Sequence, residues 1–112
     1  MILNLRHVGI VVSDMDRAIR FYQKLGCKVI SRVNEKWDIY DLDVCKMTNN
    51  IELIKGDWRR HTAFTVDYLG PTAFVMEGEE LPYSVMWKMK KPGVRFITDP
   101  DGNVIELVKE DK

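Results

Sequence analysis

The sequence has little with which to build a covalent framework, bind a polyanion or cross a membrane. Its two cysteines, Cys27 and Cys45, form no Cys-x-x-Cys pair. They read as core or half-buried thiols rather than as a disulfide scaffold. Neither sign of charge dominates, with 17 Lys+Arg against 17 Asp+Glu and a net charge of zero. Without a basic excess or stripe, nucleic acid is not expected as the main partner. No apolar run nears the roughly 20 residues that span a bilayer. The longest, Val8–Val12, has five residues and is too short and too deep for a secretory signal. The expectation is a cytoplasmic protein with no membrane partner. What remains is ordinary globular material: 46% hydrophobic and 30% charged in 112 residues. That suits one domain, or two small halves sharing a core.

The chain repeats itself, and a repeat constrains the whole fold. Arg6-His7 opens the stretch His7-Val-Gly-Ile-Val-Val12, and Arg60-His61 opens His61-Thr-Ala-Phe-Thr-Val66, 54 residues later. Ile51-Glu52-Leu53-Ile54-Lys55 recurs at the same offset of 54 as Ile105-Glu106-Leu107-Val108-Lys109. Two modules follow, residues 1–55 and 60–109, joined by Gly56-Asp57-Trp58-Arg59.

The first module reads β-α-β-β-β. Leu3–Val12 is a strand rich in β-branched residues. Ser13 caps a helix, with the acid Asp16 three residues on. Met15, Ala18, Ile19, Tyr22 and Leu25 recur at helical spacing, and Gly26 closes the helix. Cys27–Val33 and Asp38–Lys46 are strands, the latter with Tyr40, Leu42 and Val44 on one face. Asn49-Asn50 is a turn, and Ile51–Lys55 the last strand. In the second module His61–Asp67, Tyr83–Lys90, Val94–Thr98 and Val104–Lys109 are strands. A short helix falls at Thr72–Glu77, and Asp99-Pro-Asp-Gly-Asn103 is a turn.

Strand side chains alternate between faces. Val8, Ile10 and Val12 share one face, so His7 takes the other. Phe64 and Val66 lie opposite His61. Ile51 and Leu53 bracket Glu52, as Ile105 and Leu107 bracket Glu106. If the apolar faces pack on helices, His7, Glu52, His61 and Glu106 lie on the opposite, concave face, and two pseudo-symmetric modules would bring them together. Two imidazoles and two carboxylates suit a divalent metal such as Zn²⁺, Ni²⁺, Co²⁺, Mn²⁺ or Fe²⁺. On an octahedral ion they leave two adjacent positions for vicinal oxygens of a substrate. A ligand carboxylate that loosens, Glu52 or Glu106, is then a general base for the neighbouring C–H proton. Asp41 and Asp43 read as surface charge. Met76, Met86 and Met89 with Trp87 read as packing or pocket wall, and parity leaves open whether Trp87, Arg95 or Phe96 faces inward.

The run His7-Val-Gly-Ile-Val-Val-Ser-Asp-Met-Asp-Arg-Ala-Ile-Arg-Phe-Tyr22, with Leu25-Gly26 after it, resembles the opening of the vicinal oxygen chelate superfamily. Thr98-Asp-Pro-Asp-Gly-Asn-Val-Ile-Glu-Leu107 resembles its closing motif. The family includes glyoxalase I, methylmalonyl-CoA epimerase, extradiol dioxygenases, fosfomycin-resistance transferases and bleomycin-resistance proteins. The resemblance implies an α+β fold of two βαβββ modules in one domain, residues 1–112, the second module with a shortened helix. It implies His7, Glu52, His61 and Glu106 as metal ligands, a set similar to that of glyoxalase I. Dioxygenases and fosfomycin-resistance enzymes typically use two His and one Glu, the epimerase has an amide at the position of Glu52, and bleomycin-resistance proteins generally lack the ligands. Proton transfer is therefore favoured: a metal-dependent lyase or isomerase acting on a small carbonyl or vicinal-oxygen substrate. Two glutathione-binding positions of bacterial glyoxalase I, an Arg and an Asn, are here Val11 and Gly56.

The link Lys55–Arg60 spans at most roughly 20 Å. Such a short link, with sheet edges in each half for a partner to cover, favours a homodimer. Two other readings stand beside the enzyme. One is a non-catalytic small-molecule binding protein stacking its ligand on Trp37, Trp58, Trp87 and Tyr83. The other is an Fe(II) dioxygenase, against which the short chain and Glu52 both speak.

Overall fold

The computed structural model describes residues 2–37, 40–67, 93–99 and 101–110. The expected helix at Thr72–Glu77, the expected strand at Tyr83–Lys90, and Met76, Tyr83, Met86, Trp87 and Met89 lie outside the described residues. The elements are β1 (Ile2–Val11), α1 (Met15–Lys24), β2 (Val29–Trp37), β3 (Tyr40–Met47), β4 (Ile51–Lys55), β5 (His61–Val66), β6 (Val94–Thr98) and β7 (Val104–Lys109). By contacts the chain forms two units, His7–Arg60 and Met1–Arg6 with His61–Lys112.

In the His7–Arg60 unit the strand order is β2-β3-β4-β1. β1 runs parallel to β4, while β3 is antiparallel to both β4 and β2. A parallel neighbour needs a crossover, and α1 supplies it between β1 and β2. The stripe Met15, Ala18, Ile19 and Tyr22 packs with Ile10, Val12, Cys27, Cys45, Met47, Ile51 and Leu53. Both thiols are free and buried, as the sequence suggests, and burial pushes the Cys45 thiol up. The opposite face carries a second cluster of Leu42, Val44 and Ile54, with Tyr40 and Trp58 against it. Tyr40, Leu42 and Val44 thus share a face as their alternation predicts.

Three local expectations are corrected. The N-cap is Asp14, not Ser13: its carboxylate accepts from the Arg17 N–H at 3.1 Å. Asp16, in the first turn, bonds the Arg32 guanidinium at 2.7 Å instead. Leu25 is 66% exposed and lies off the stripe, because it is the C-cap where the chain leaves the helix. β2 begins at Val29 rather than Cys27. The Cys27 N–H donates to the Tyr22 carbonyl and the Gly26 N–H to that of Gln23, closing α1 in a Schellman motif with Gly26 at φ +105°. Asp41 and Asp43 are ion-paired as surface charges, with Lys36 and Arg32 respectively.

In the other unit β5, β7 and β6 follow in that order, β5 parallel and β6 antiparallel to β7. Ala63, Val66, Phe96 and Leu107 are buried there. The β6–β7 turn is built on Asp99, whose carboxylate accepts from the N–H groups of Asp101 and Asn103 at 2.9 Å and from the Asn103 amide at 2.7 Å.

Candidate functional site

Each unit presents one His–Glu pair, and strand register explains why. In the His7–Arg60 unit Gly9 lies opposite Glu52 across β1 and β4. His7, two residues before Gly9, shares that face, and its Nδ1 lies 3.3 Å from Glu52 Oε2. In the other unit Ala63 lies opposite Glu106 across β5 and β7. His61, two residues before Ala63, places its Nε2 3.0 Å from Glu106 Oε1. The two pairs have the same construction: parallel strands, the same diagonal offset, and a small residue directly opposite the glutamate. A bulky side chain at that small position would crowd the space through which imidazole and carboxylate meet.

Burial separates the pairs. The side chains of His61 and Glu106 are 2% and 8% exposed, whereas those of His7 and Glu52 are both 13% exposed. Across the sheet from Glu106 stands Phe96. Its ring meets the His61 ring edge-on, with centroids 5.6 Å apart. The register therefore places Phe96 with Glu106, and Arg95, opposite Leu107, on the other face. The residue across from Glu52 is Lys46, an exposed cation. Farther along the face of Glu52 lie Ile54 and the aromatic pair Tyr40–Trp58, with ring centroids 5.4 Å apart.

The donor set suits a divalent ion. Bonds of about 2.1 Å from one ion to imidazole nitrogen and carboxylate oxygen put those atoms about 3.0 Å apart on an octahedral edge and about 3.4 Å apart on a tetrahedral one. The separations of 3.0 and 3.3 Å fall in that range. Each pair thus has the spacing that two neighbouring ligands of one ion would need. Without an ion the same geometry is an imidazole N–H donating to a carboxylate.

Spacing along the chain does not by itself reveal Lys46 and Phe96 as neighbours of the glutamates. The two turns carry that signal. Thr48–Asn50, with Asn49 and Asn50 at positive φ, sets Met47 opposite Ile51 and hence Lys46 opposite Glu52. Asp99–Asn103 likewise sets Thr98 opposite Val104 and Phe96 opposite Glu106.

Comparison with known proteins gives a family and a fold. The family model of the glyoxalase/bleomycin resistance protein/dioxygenase superfamily matches residues 6–106. Among solved structures, methylmalonyl-CoA epimerase from Mycobacterium tuberculosis is similar with a TM-score of 0.65 at 23% identity, over 99% of this chain and 90% of that one. This likeness establishes the α+β fold. No curated protein matches the sequence.

Proposed function

Because the chain belongs to the glyoxalase/bleomycin resistance protein/dioxygenase superfamily, we propose that it is a metal-dependent lyase or isomerase that moves a proton on a small carbonyl or vicinal-oxygen compound. The observation that carries this reading is the His–Glu pair built twice at one register, His7–Glu52 and His61–Glu106. In this reading the whole chain is one domain, and the four side chains hold a single divalent ion, Zn²⁺, Ni²⁺, Co²⁺, Mn²⁺ or Fe²⁺. A divalent ion bound there would supply Lewis acidity toward a substrate carbonyl oxygen. The protein's own part is to hold the substrate and to take and return the α-proton on a glutamate oxygen.

The two carboxylates are suited to different work. Glu106 is the more buried and stands against His61, Ala63 and Phe96, which hold it in place. Glu52 is more exposed and 3.3 Å from its histidine, so it is the carboxylate that swings to the α-carbon. Ile54, Tyr40 and Trp58 give the substrate body an apolar surface beside it. The active form is a homodimer, whose partner copy covers exposed sheet edges. The free thiols of Cys27 and Cys45 suit a reducing compartment such as the cytoplasm.

The test is exchange of a substrate α-proton in deuterated buffer by the metal-loaded protein, across 2-oxoaldehyde adducts and acyl thioesters. We expect exchange with at least one substrate, and loss of about 10²-fold or more in Glu52→Gln with metal content retained. Exchange unaffected by Glu52→Gln would remove Glu52 as the base. No exchange with any substrate would favour a binding protein that uses Tyr40 and Trp58 as its stacking surface.

A further inference from the structure

We propose that Lys46 binds an anionic group of the substrate, so that the site takes carbonyl compounds carrying a negatively charged substituent. This rests on the reading of the His–Glu pairs as a metal site and adds the substrate's charge to it. Lys46 is the direct antiparallel partner of Glu52. Directly opposed residues have Cβ atoms about 4.5–5.5 Å apart on the same face of the sheet. Glu52 nevertheless engages His7 at 3.3 Å, and the Lys46 ammonium makes no ion pair or hydrogen bond with a described residue. Its side chain is exposed. A lysine therefore stands in register with the carboxylate without pairing with it.

Strand alternation removes the other nearby cations. Arg6 alternates with His7, Lys55 with Ile54, and Arg95 stands opposite Leu107. Among the described strands Lys46 is the one cationic residue in register with either pair. The corresponding neighbour of Glu106 is the buried Phe96. Charge balance gives Lys46 its importance. Two glutamates formally neutralise a divalent ion, so attraction for an anionic substrate falls to the next cation along the face. A lysine side chain is long enough to reach a group one or two bonds beyond the chelating oxygens.

The test uses three hydroxamates, whose two vicinal oxygens occupy the open positions of a metal ion. Acetohydroxamate has no second charge, succinohydroxamate adds a carboxylate, and phosphonoacetohydroxamate adds a phosphonate. Affinities are read by calorimetry on the nickel-loaded chain and its Lys46→Met and Lys46→Arg variants, after nickel content is measured. We expect the wild type to prefer at least one anionic hydroxamate over acetohydroxamate by roughly three- to fivefold, the scale of an exposed ion pair. That preference should shrink as salt rises, disappear in Lys46→Met and persist in Lys46→Arg. The tighter of the two anionic ligands identifies the substituent. Equal affinities for all three in the nickel-loaded wild type, or a preference unchanged by Lys46→Met, overturn the proposal and leave the metal site standing. Failure to take up nickel, or to bind any hydroxamate once loaded, overturns the metal-site reading and this proposal together.

Discussion

At the scale of single residues, a small side chain stands opposite each glutamate, Gly9 at Glu52 and Ala63 at Glu106. Ala63 is fully buried opposite Glu106, so Ala63→Val must displace packed neighbours. We expect a loss of roughly 1–3 kcal/mol in thermal unfolding, with weaker metal uptake; unchanged uptake would show that the pair tolerates crowding. The turn carboxylate of Asp99 is held below the usual aspartate range, first by the Asn103 side-chain amide and then by the Asn103 N–H. A lowered folded-state value means that its contribution is complete above the unfolded value of about 3.9 and is lost as pH falls through the folded value. Asn103→Ala should therefore lower the urea midpoint at neutral pH, with the difference from wild type narrowing near pH 2. A constant difference across that range would remove the proton linkage. His7, Glu52, His61 and Glu106 are legible in the sequence because they repeat. Lys46 and Phe96 are not, because the turns beside them differ in length. Three residues separate Met47 from Ile51 and five separate Thr98 from Val104, so the neighbours of the two glutamates do not fall at the repeat offset.

At the scale of elements, glycine positions test how the site-bearing strands are joined. Gly26 ends α1 at φ +105° with open space around it, whereas Gly56 follows β4 at φ +139° with Leu42 Cδ2 and the Asp41 carbonyl 2.8 and 2.9 Å from an added Cβ. Gly26→Ala pays backbone strain alone, about 1–2 kcal/mol. Gly56→Ala adds a clash with β3, part of it against rigid backbone, and should be the more destabilising in denaturant titrations. Equal losses would mean that β3 yields to the added methyl. Strand existence and order in the first half were legible from β-branched runs and turn residues. The boundaries moved where local hydrogen bonds compete with the ladder. The Schellman exit engages the Cys27 N–H, and Asp14 rather than Ser13 has its carboxylate aimed at the first turn.

At the scale of the whole molecule, the superfamily was legible at both ends of the chain, in the runs from His7 and to Leu107, and the family match spans residues 6–106. Exposed apolar side chains on β1 and β2, among them Ile2, Leu3, Leu5, Ile30 and Val33, accord with the proposed homodimer; light scattering should return twice the 13.1 kDa chain mass. A monomer would require all four ligands to come from one copy. Alternation alone puts each glutamate on the face of its histidine but gives no distance; the strand register sets the 3.0 and 3.3 Å separations within the pairs. The most direct measurement is the metal content of untagged protein by mass spectrometry, wild type beside His7→Ala and His61→Ala. One divalent ion per chain, lost in both variants, is the result expected of a single site made by both pairs. An ion retained in either variant, or no uptake by the wild type after reconstitution, would contradict it.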